Sequence, residues 1–473
     1  MNEVCNVTRK HIQRALMSKG CYDLMQLDDN VLCDLYKLYY KVNDKPLTNP
    51  EINELYKDIH FVNNLDFIVK YISSEPKCQE NITSIDKELK QNLEPNTNDS
   101  DVQQKIACYI KEILSSVTNF AYQNNTNNNS LGLTALSDGL SKYMNWKLLD
   151  KGEYGATFLS TLNLAGGLQQ DPLCIVKTTT KKENLKGLTL HELAIGFALN
   201  TIRDVIAPFF TYCYAGFYCD FSEMDVSNPM CKEATPTKVD VMMFQQYIEA
   251  ADKHLAKWIW SNQTQLSEQA IFDIIDENFL LVAYALHKAQ QSIKFVHFDL
   301  HGENVLIRRN KNKQSVEITI GDFNKKIRPT FFPTIIDYGH SVCTIDGKIL
   351  YNCWPIYNTN IISIGNGSTT QYFVPLYDLY RYISFVLTFL SHSKDSKVIN
   401  AIMKLRTRWM KYINQSFLNY DTQGKFKEWV EKYSNAPMVD WKDFFIKNNL
   451  SWPSKNHVSC FNHGSIEEWL LSL

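Results

Sequence analysis

Residues 294–307 read KFVHFDLHGENVLI, and several of their side chains could handle a phosphate and a metal ion. Asp299 lies two residues after His297 and five residues before Asn304. Phosphoryl transfer needs a carboxylate near the attacking hydroxyl group and oxygen ligands for magnesium. An aspartate and an asparagine at this spacing can share one loop and face one cleft. The spacing alone does not distinguish a catalytic loop from an ordinary turn, because loop Asp and Asn residues are commonly caps and turn formers.

A second carboxylate follows in TIIDYGHS, residues 334–341, where a short apolar run ends at Asp337 and a glycine comes two residues later. A carboxylate at the end of a strand, beside a flexible backbone, is typical of a magnesium-chelating loop. Asp322 in IGDFN is the rival. We prefer Asp337, because Asp322 has no such glycine, and we interpret Asp322-Phe323-Asn324 as the turn of a hairpin.

These two segments carry a family resemblance. HFDLHGEN resembles the H-R-D-x-x-x-x-N catalytic loop of protein kinases, and DYG resembles their D-F-G motif. The resemblance implies that Asp299 orients the substrate hydroxyl and accepts its proton, while Asn304 and Asp337 hold Mg2+. It implies ATP as the phosphate donor and protein serine or threonine hydroxyls as acceptors.

The upstream sequence contains the remaining kinase features in the expected order. In LLDKGEYGATF, Gly152 and Gly155 occupy the second and third glycine places of G-x-G-x-x-G, Tyr154 lies at the loop tip, and Asp150 replaces the first glycine. The resemblance implies that the amides of this loop cover the ATP phosphates.

A strand lysine and a helix glutamate complete the expected set. CIVK supplies Lys177 to contact the α- and β-phosphates, and Glu192 in LTLHELAIGF is its expected partner, with Glu183 as the rival. FQQYIEA resembles the hinge between kinase lobes, which makes Gln246 and Tyr247 candidate nucleotide contacts.

Several details resemble haspin-like kinases and divergent kinases of large DNA viruses. His301 gives D-L-H, a long insert separates Asn304 from Asp337, no A-P-E motif follows, and a Y-D-L-Y-R helix places Asp378 where it would brace the catalytic loop. The resemblance covers roughly residues 142–400. Phe298 replaces the arginine of H-R-D. That arginine normally pairs with a phosphorylated activation loop, so we expect activity without such phosphorylation.

The elements that position these residues indicate an α+β protein. A strand-rich half precedes a helix-rich half. We expect a bilobal protein-kinase-like fold with a small β-rich N-lobe, a larger helical C-lobe and an N-terminal helical extension. The expected divisions are a helical region 1–118, an Asn-rich linker 119–141, an N-lobe 142–248 and a C-lobe 249–473. The helical region is a candidate for binding a protein partner.

Two alternative functions stay open. H-x-D-L-H-x-x-N also resembles aminoglycoside and choline phosphotransferases, which act on small alcohols. The second alternative is a pseudokinase that acts as a binding module. It stays open because Asp150 and Phe298 replace residues of the kinase motifs. His457, Cys460 and His463 could begin a zinc site, but the sequence offers no fourth ligand and chance placement explains them better.

Composition limits the partners and the location. The net charge of −2 gives no reason to expect nucleic acid binding. The uncharged, mostly apolar run 205–219 contains a proline and is shorter than the roughly 20 residues of a membrane span. Twelve scattered cysteines without Cys-x-x-Cys, and no signal peptide, favour reduced thiols in an intracellular protein. A viral origin would place it in the host cytoplasm or the virion, and a cellular haspin-like kinase would favour the nucleus.

Overall fold

The computed structural model covers most of the segments that carry the predicted site. The described residues are 64, 67–68, 70–71, 103–108, 110, 144–151, 155–162, 174–179, 188–206, 208–219, 240–350, 375–420 and 465–473. Several predictions lie outside them, namely those on linker 119–141, Gly152, Tyr154, Glu183, His457, Cys460 and His463.

Strands dominate the earlier part of the described chain and helices the later part. The strands are β1 (Met144–Lys151), β2 (Gly155–Leu162), β3 (Cys174–Thr179), β4 (Cys213–Cys219), β5 (Asp240–Gln246), β6 (Val305–Arg309), β7 (Val316–Ile320), β8 (Phe323–Ile327), β9 (Phe331–Ile335), β10 (Cys343–Ile345) and β11 (Lys348–Leu350). The helices are α1 (Leu188–Asn200), α2 (Arg203–Ile206), α3 (Leu255–Asn262), α4 (Glu268–Ile293), α5 (Tyr377–Leu390), α6 (Ser396–Tyr420) and α7 (Ile466–Leu471). The prediction of a mixed helix and strand protein is confirmed.

The first five strands form one antiparallel sheet in the order β1-β2-β3-β5-β4. Lys177 on β3 lies opposite Thr157 of β2 and Met243 of β5, so it occupies a central strand. Helix α1 packs against this sheet, and its apolar residues from Leu193 to Leu199 are almost fully buried. The sheet and α1 thereby fix Lys177 and Glu192 relative to each other.

The later part of the chain is organised around α4, a 26-residue helix. The side chain of Ser267 caps its N-terminus by accepting the backbone N–H of Ala270, and Lys294 ends it in the left-handed conformation. Helices α5 and α6 pack on α4. Most apolar side chains of α4 are buried, which makes it the central element of the core beneath the candidate site.

The segment between Asn304 and Asp337 folds as two pairs of strands. Strands β6 and β9 are antiparallel, and the β7–β8 hairpin lies between them in sequence, so the predicted additional hairpin is confirmed. Asp322 is exposed in the turn of that hairpin, as expected, but Phe323 and Asn324 already belong to β8. Because β6 and β9 run antiparallel, the start of one and the end of the other meet at the same edge.

The described residues of the N-terminal region are helical and pack on α1 and α2. The Tyr71 ring stacks on Phe197 of α1 at a centroid distance of 4.5 Å. The Arg203 Nε atom donates a 3.1 Å hydrogen bond to Gln103 Oε1. Part of this region therefore contacts the sheet-bearing part of its own chain.

Cysteine chemistry departs from the expectation in one place. Cys108 is disulfide-bonded, whereas Cys174, Cys213 and Cys343 are buried and form no disulfide, which agrees with the expected reduced thiols. Among the helices of the described residues, none has the length and apolar character needed to cross a membrane.

Candidate active site

Three charged side chains from distant parts of the chain meet beside the sheet. Lys177 Nζ lies 2.6 Å from Glu192 Oε1 and 3.3 Å from Asp337 Oδ1. The lysine comes from β3, the glutamate from α1, and the aspartate from the loop after β9. The side chain of Glu192 is 7% exposed and that of Asp337 is 50% exposed, so the pair is deep and the aspartate faces solvent.

The protonation of these groups follows from their mutual charges. Burial disfavours the ammonium of Lys177, but the carboxylates of Asp337 and Glu192 outweigh burial and raise its pKa. Lys177 in turn lowers the pKa of Asp337 below its ordinary value. Burial raises the pKa of Glu192, and the adjacent ammonium opposes that effect. A cation bordered by two carboxylates can bind the anionic oxygens of a phosphate chain.

Tyr338 anchors the loop that carries Asp337. Its backbone N–H donates to Glu192, so the glutamate contacts both the lysine and this loop. The Tyr338 hydroxyl accepts from the backbone N–H of Thr211 at 3.0 Å and donates to the carbonyl oxygen of Ile335 at 2.8 Å. The ring is fully buried. Asp337 itself has a left-handed backbone (φ 67°), which a non-glycine residue keeps only when its surroundings hold it there.

His297 braces the loop of residues 297–304. Its Nε2 atom lies 2.9 Å from the carbonyl oxygen of Ile336, and its Nδ1 accepts the backbone N–H of Asp299 at 3.3 Å. The Nδ1 bond requires a lone pair, so the neutral ring carries its proton on Nε2. Burial lowers the pKa of His297 to about 4, which agrees with a neutral ring at pH 7. These contacts give His297 the role of bracing the loop.

Asp378 holds the same loop from the opposite side. Its two carboxylate oxygens accept the backbone N–H groups of His297 at 2.5 Å and Phe298 at 2.9 Å. Asp378 is fully buried at the start of α5, and burial raises its pKa to about 7. The backbone of Phe298 is left-handed (φ 61°). Two hydrogen bonds to one carboxylate offset the cost of that conformation.

Asp299 and Asn304 face each other across the loop. Asn304 Nδ2 donates to the carbonyl oxygen of Asp299 at 2.9 Å. Its amide nitrogen is engaged there, so Oδ1 is the atom that could bind a metal. The backbone carbonyl of Asn304 accepts the N–H of Ile336 at 3.0 Å. This bond lies at the edge where β6 and β9 meet, and it brings Asn304 close to Asp337 in space.

The donor set at this edge suits magnesium. Mg2+ prefers oxygen ligands and usually takes one or two from protein while keeping waters and substrate phosphates. The Asp337 carboxylate and the Asn304 amide oxygen supply that number. In the part of the chain that the structure describes, His, Cys, Asp and Glu side chains form no group of three or more that could hold a metal. The Asp337 carboxylate and the Asn304 amide oxygen are two candidate ligands at this edge.

The described residues that were predicted to contact the nucleotide lie in different surroundings. Gly155 begins β2 and lies opposite Thr179 of β3. The Oε1 atom of Gln246 accepts the backbone N–H of Tyr212 at 3.3 Å, and its own N–H donates to the Tyr212 carbonyl oxygen at 2.8 Å. Gln246 is buried, and its side chain is bound to the residue that precedes β4, a contact that the sequence did not predict. Tyr247 follows β5 and is half-buried.

One residue of this site, the arginine of the Y-D-L-Y-R motif, had no role predicted from the sequence. Arg381 of α5 places Nη2 at 2.5 Å from Asp299 Oδ1. It lies three residues after Asp378, one turn further along the same helix, which brings both side chains to the same loop. That spacing was the available signal. No family model matches the sequence, and no curated protein matches it either.

Proposed function

We propose that this protein is an ATP-dependent protein kinase that phosphorylates serine or threonine hydroxyls. The observation that carries the proposal is the meeting of Lys177, Glu192 and Asp337. Three charged groups, separated by 15 and 160 positions in sequence, converge where a phosphate chain would need a cation and a metal ligand. The loop of Asp299 and Asn304 is braced beside them.

The sheet and the helical region would form the two lobes of a bilobal kinase-like fold. The strand order β1-β2-β3-β5-β4 puts Lys177 on the central strand, and α1 carries Glu192 against it. Val296 and Val342 pair across the base of the site. Gln246 ends β5, and Tyr247 begins the connection to α3. The cleft between these two regions would hold ATP.

Each residue of the site would have its own role in phosphoryl transfer. Lys177, held by Glu192, would bind the α- and β-phosphates and keep them extended. Asp299 would orient the acceptor hydroxyl toward the γ-phosphate and accept its proton as the new bond forms. Asp337 and Asn304 would hold magnesium, which neutralises charge on the phosphates when bound. His297 and Asp378 would keep the loop in place without touching substrate.

The decisive experiment measures transfer of the γ-phosphate from labelled ATP with magnesium. Casein, histone and a panel of small alcohols serve as acceptors. Wild type is compared with Asp337→Ala, and Asp322→Ala is the matched control because Asp322 lies in the exposed turn of the β7–β8 hairpin. Label on protein serine or threonine, lost only in Asp337→Ala, is the expected result.

Two other results would change the assignment. Transfer only to small alcohols would move the protein to the aminoglycoside- or choline-type phosphotransferases. ATP binding without transfer to any acceptor would favour a pseudokinase that acts as a binding module. Equal activity of wild type and Asp337→Ala would contradict the magnesium role of Asp337.

A further inference from the structure

The loop that carries Asp299 lacks a cation of its own. Phe298 precedes Asp299, and its ring is buried, packed against Tyr377 at a centroid distance of 6.0 Å. This side chain contributes packing and no charge. A carboxylate that must present one oxygen to a substrate still needs a group that fixes the orientation of its side chain.

Arg381 supplies that group from α5. Its Nη2 atom donates to Asp299 Oδ1 at 2.5 Å, and its Nη1 atom donates to the carbonyl oxygen of Phe298 at 2.8 Å. One rigid guanidinium therefore binds the backbone of one residue and the side chain of the next. The planar, multiply donating shape of arginine permits this arrangement, and the single ammonium of lysine does not reproduce it.

The helix that carries Arg381 is itself tied to the same loop. Asp378, one turn earlier, accepts the N–H groups of His297 and Phe298. The loop is consequently held at two points by one helix face. A shift of Asp299 relative to α5 would break hydrogen bonds at both points.

The contact leaves the second carboxylate oxygen for chemistry. Asp299 Oδ1 is bound to Arg381, whereas Oδ2 lies 3.8 Å from His301 Nε2, beyond hydrogen-bond distance. The side chains of Asp299 and Arg381 are 29% and 34% exposed, so this ion pair is open to solvent on one side. The guanidinium decides which oxygen faces the acceptor.

We propose that Arg381 is a positioning residue that orients Asp299 for catalysis, in place of a cation from the loop itself. This inference rests on the proposed function. Removing Arg381 should slow the chemical step, while ATP binding, which takes place at Lys177 and Asp337, should be unaffected. Arg381 acts through Asp299 and does not itself contact the reacting atoms.

The test uses the full chain with magnesium-ATP and casein. Arg381→Ala should lower kcat at least about 10-fold, because placement of the base is part of the roughly 10²–10⁴-fold that general-base catalysis contributes. The KM for ATP should stay within about twofold. Arg381→Lys should recover part of the loss. Arg328→Ala, which removes an exposed arginine beyond β8, should match wild type.

Added guanidinium distinguishes positioning from a general effect on folding. Guanidinium chloride, at concentrations that leave wild type folded and fully active, should restore part of kcat to Arg381→Ala. The same concentration of sodium chloride should restore none. A merely structural role would move the melting temperature and show no rescue.

Several results would overturn the inference. Wild-type kcat in Arg381→Ala, or a kcat above wild type, would show that the ion pair is neutral or inhibitory. Loss of kcat with no rescue by guanidinium would assign Arg381 to folding alone. Each of these leaves the proposed function standing, since wild type still transfers phosphate. Absence of transfer by wild type to any acceptor would remove both proposals together.

Discussion

His191 Nε2 lies 2.7 Å from the carbonyl oxygen of Ser341, which joins α1 to the chain four residues after Asp337. The next residue of α1, Glu192, accepts the backbone N–H of Tyr338 in the same segment. Two consecutive side chains of α1 therefore bind the loop that carries Asp337. The position of this helix and the position of the candidate metal ligand are fixed together.

The neutral state of His191 predicts a pH dependence of stability. Burial lowers the pKa of His191 to about 4, against an ordinary value of 6.5. Below pH 6.5 the unfolded chain binds a proton that the folded ring does not, so the free energy of unfolding rises as pH rises from 4 to 6.5. One group contributes up to about 1.4 kcal/mol per pH unit across that window.

His191→Gln isolates this contribution, because glutamine does not titrate. We expect the stability advantage of wild type over His191→Gln to grow by about 3 kcal/mol between pH 4 and 6.5 and to stay constant above pH 7. Urea unfolding at a series of pH values measures it. Parallel curves for the two proteins across the whole range would show that the ring titrates normally in the folded state.

The Lys177–Glu192 pair predicts non-additive effects on catalysis. Lys177→Met should lower kcat/KM about 100-fold or more, because the phosphates lose their cation. Glu192→Gln should lower it by a smaller factor, since glutamine keeps an oxygen that can accept the Tyr338 N–H and removes only the charge beside Lys177. The double variant should be no less active than Lys177→Met. If the loss of kcat/KM in the double variant equals the product of the two single losses, Glu192 has a role separate from that of Lys177.

The same pair predicts that a second substitution restores part of the stability lost in the first. Lys177→Met leaves the buried carboxylate of Glu192 without its partner, so the melting temperature should fall. Adding Glu192→Gln removes that charge and should restore part of the loss. Thermal unfolding of the two single variants and the double variant measures the effect.

We expect Asp378→Asn, which exchanges one carboxylate oxygen for an amide nitrogen, to lower the stability of the protein. Asn in Asp378→Asn offers one acceptor oxygen where two backbone N–H groups need acceptors, and its amide would face one of them. We expect a cost of about 1–3 kcal/mol in the free energy of unfolding, measured with urea. Asp322→Asn in the exposed hairpin turn should stay within about 0.5 kcal/mol of wild type. Equal effects of the two variants would contradict the role of Asp378.

The stacking of Tyr71 on Phe197 predicts that the N-terminal region stabilises α1. Tyr71→Ala should cost about 1–3 kcal/mol in the free energy of unfolding, from lost aromatic contact and burial. Its exposed neighbour provides the control, and Lys70→Ala should change stability by less than about 0.5 kcal/mol. Matching values for the two variants would show that the stacking contributes nothing to stability.

The sequence predicted the residues that local pattern identifies. Asp337 could be assigned because it follows a short apolar run, and Lys177 and Glu192 because the kinase resemblance calls for a lysine on a strand and a glutamate on a helix. The hairpin between Asn304 and Asp337 was predictable from the length of the insert. Choosing Asp337 over Asp322 rested on a glycine, and the structure places the first beside Lys177 and the second in an exposed turn.

Contacts set by tertiary packing were not predictable. Arg381 reaches Asp299 across 82 positions, and only the docking of α5 against the loop decides which of its side chains arrives there. The assignment of Gln246 to nucleotide binding stays a prediction, but the hydrogen bond of its side chain to the N–H of Tyr212, just before β4, was not foreseen because strand pairing sets it. The direction of a side chain at a strand end depends on register, which the sequence leaves open.

The contacts of Tyr71 and Gln103 matter for anyone who prepares a shorter version of this protein. Composition marks residues 119–141 as the natural place to cut, yet both of these residues precede that place and contact α1 and α2. A fragment that begins at residue 142 would expose the face of Phe197 and leave the buried Arg203 without Gln103. We expect such a fragment to express poorly, and crystallisation trials should keep the segments around residues 64–71 and 103–110 attached.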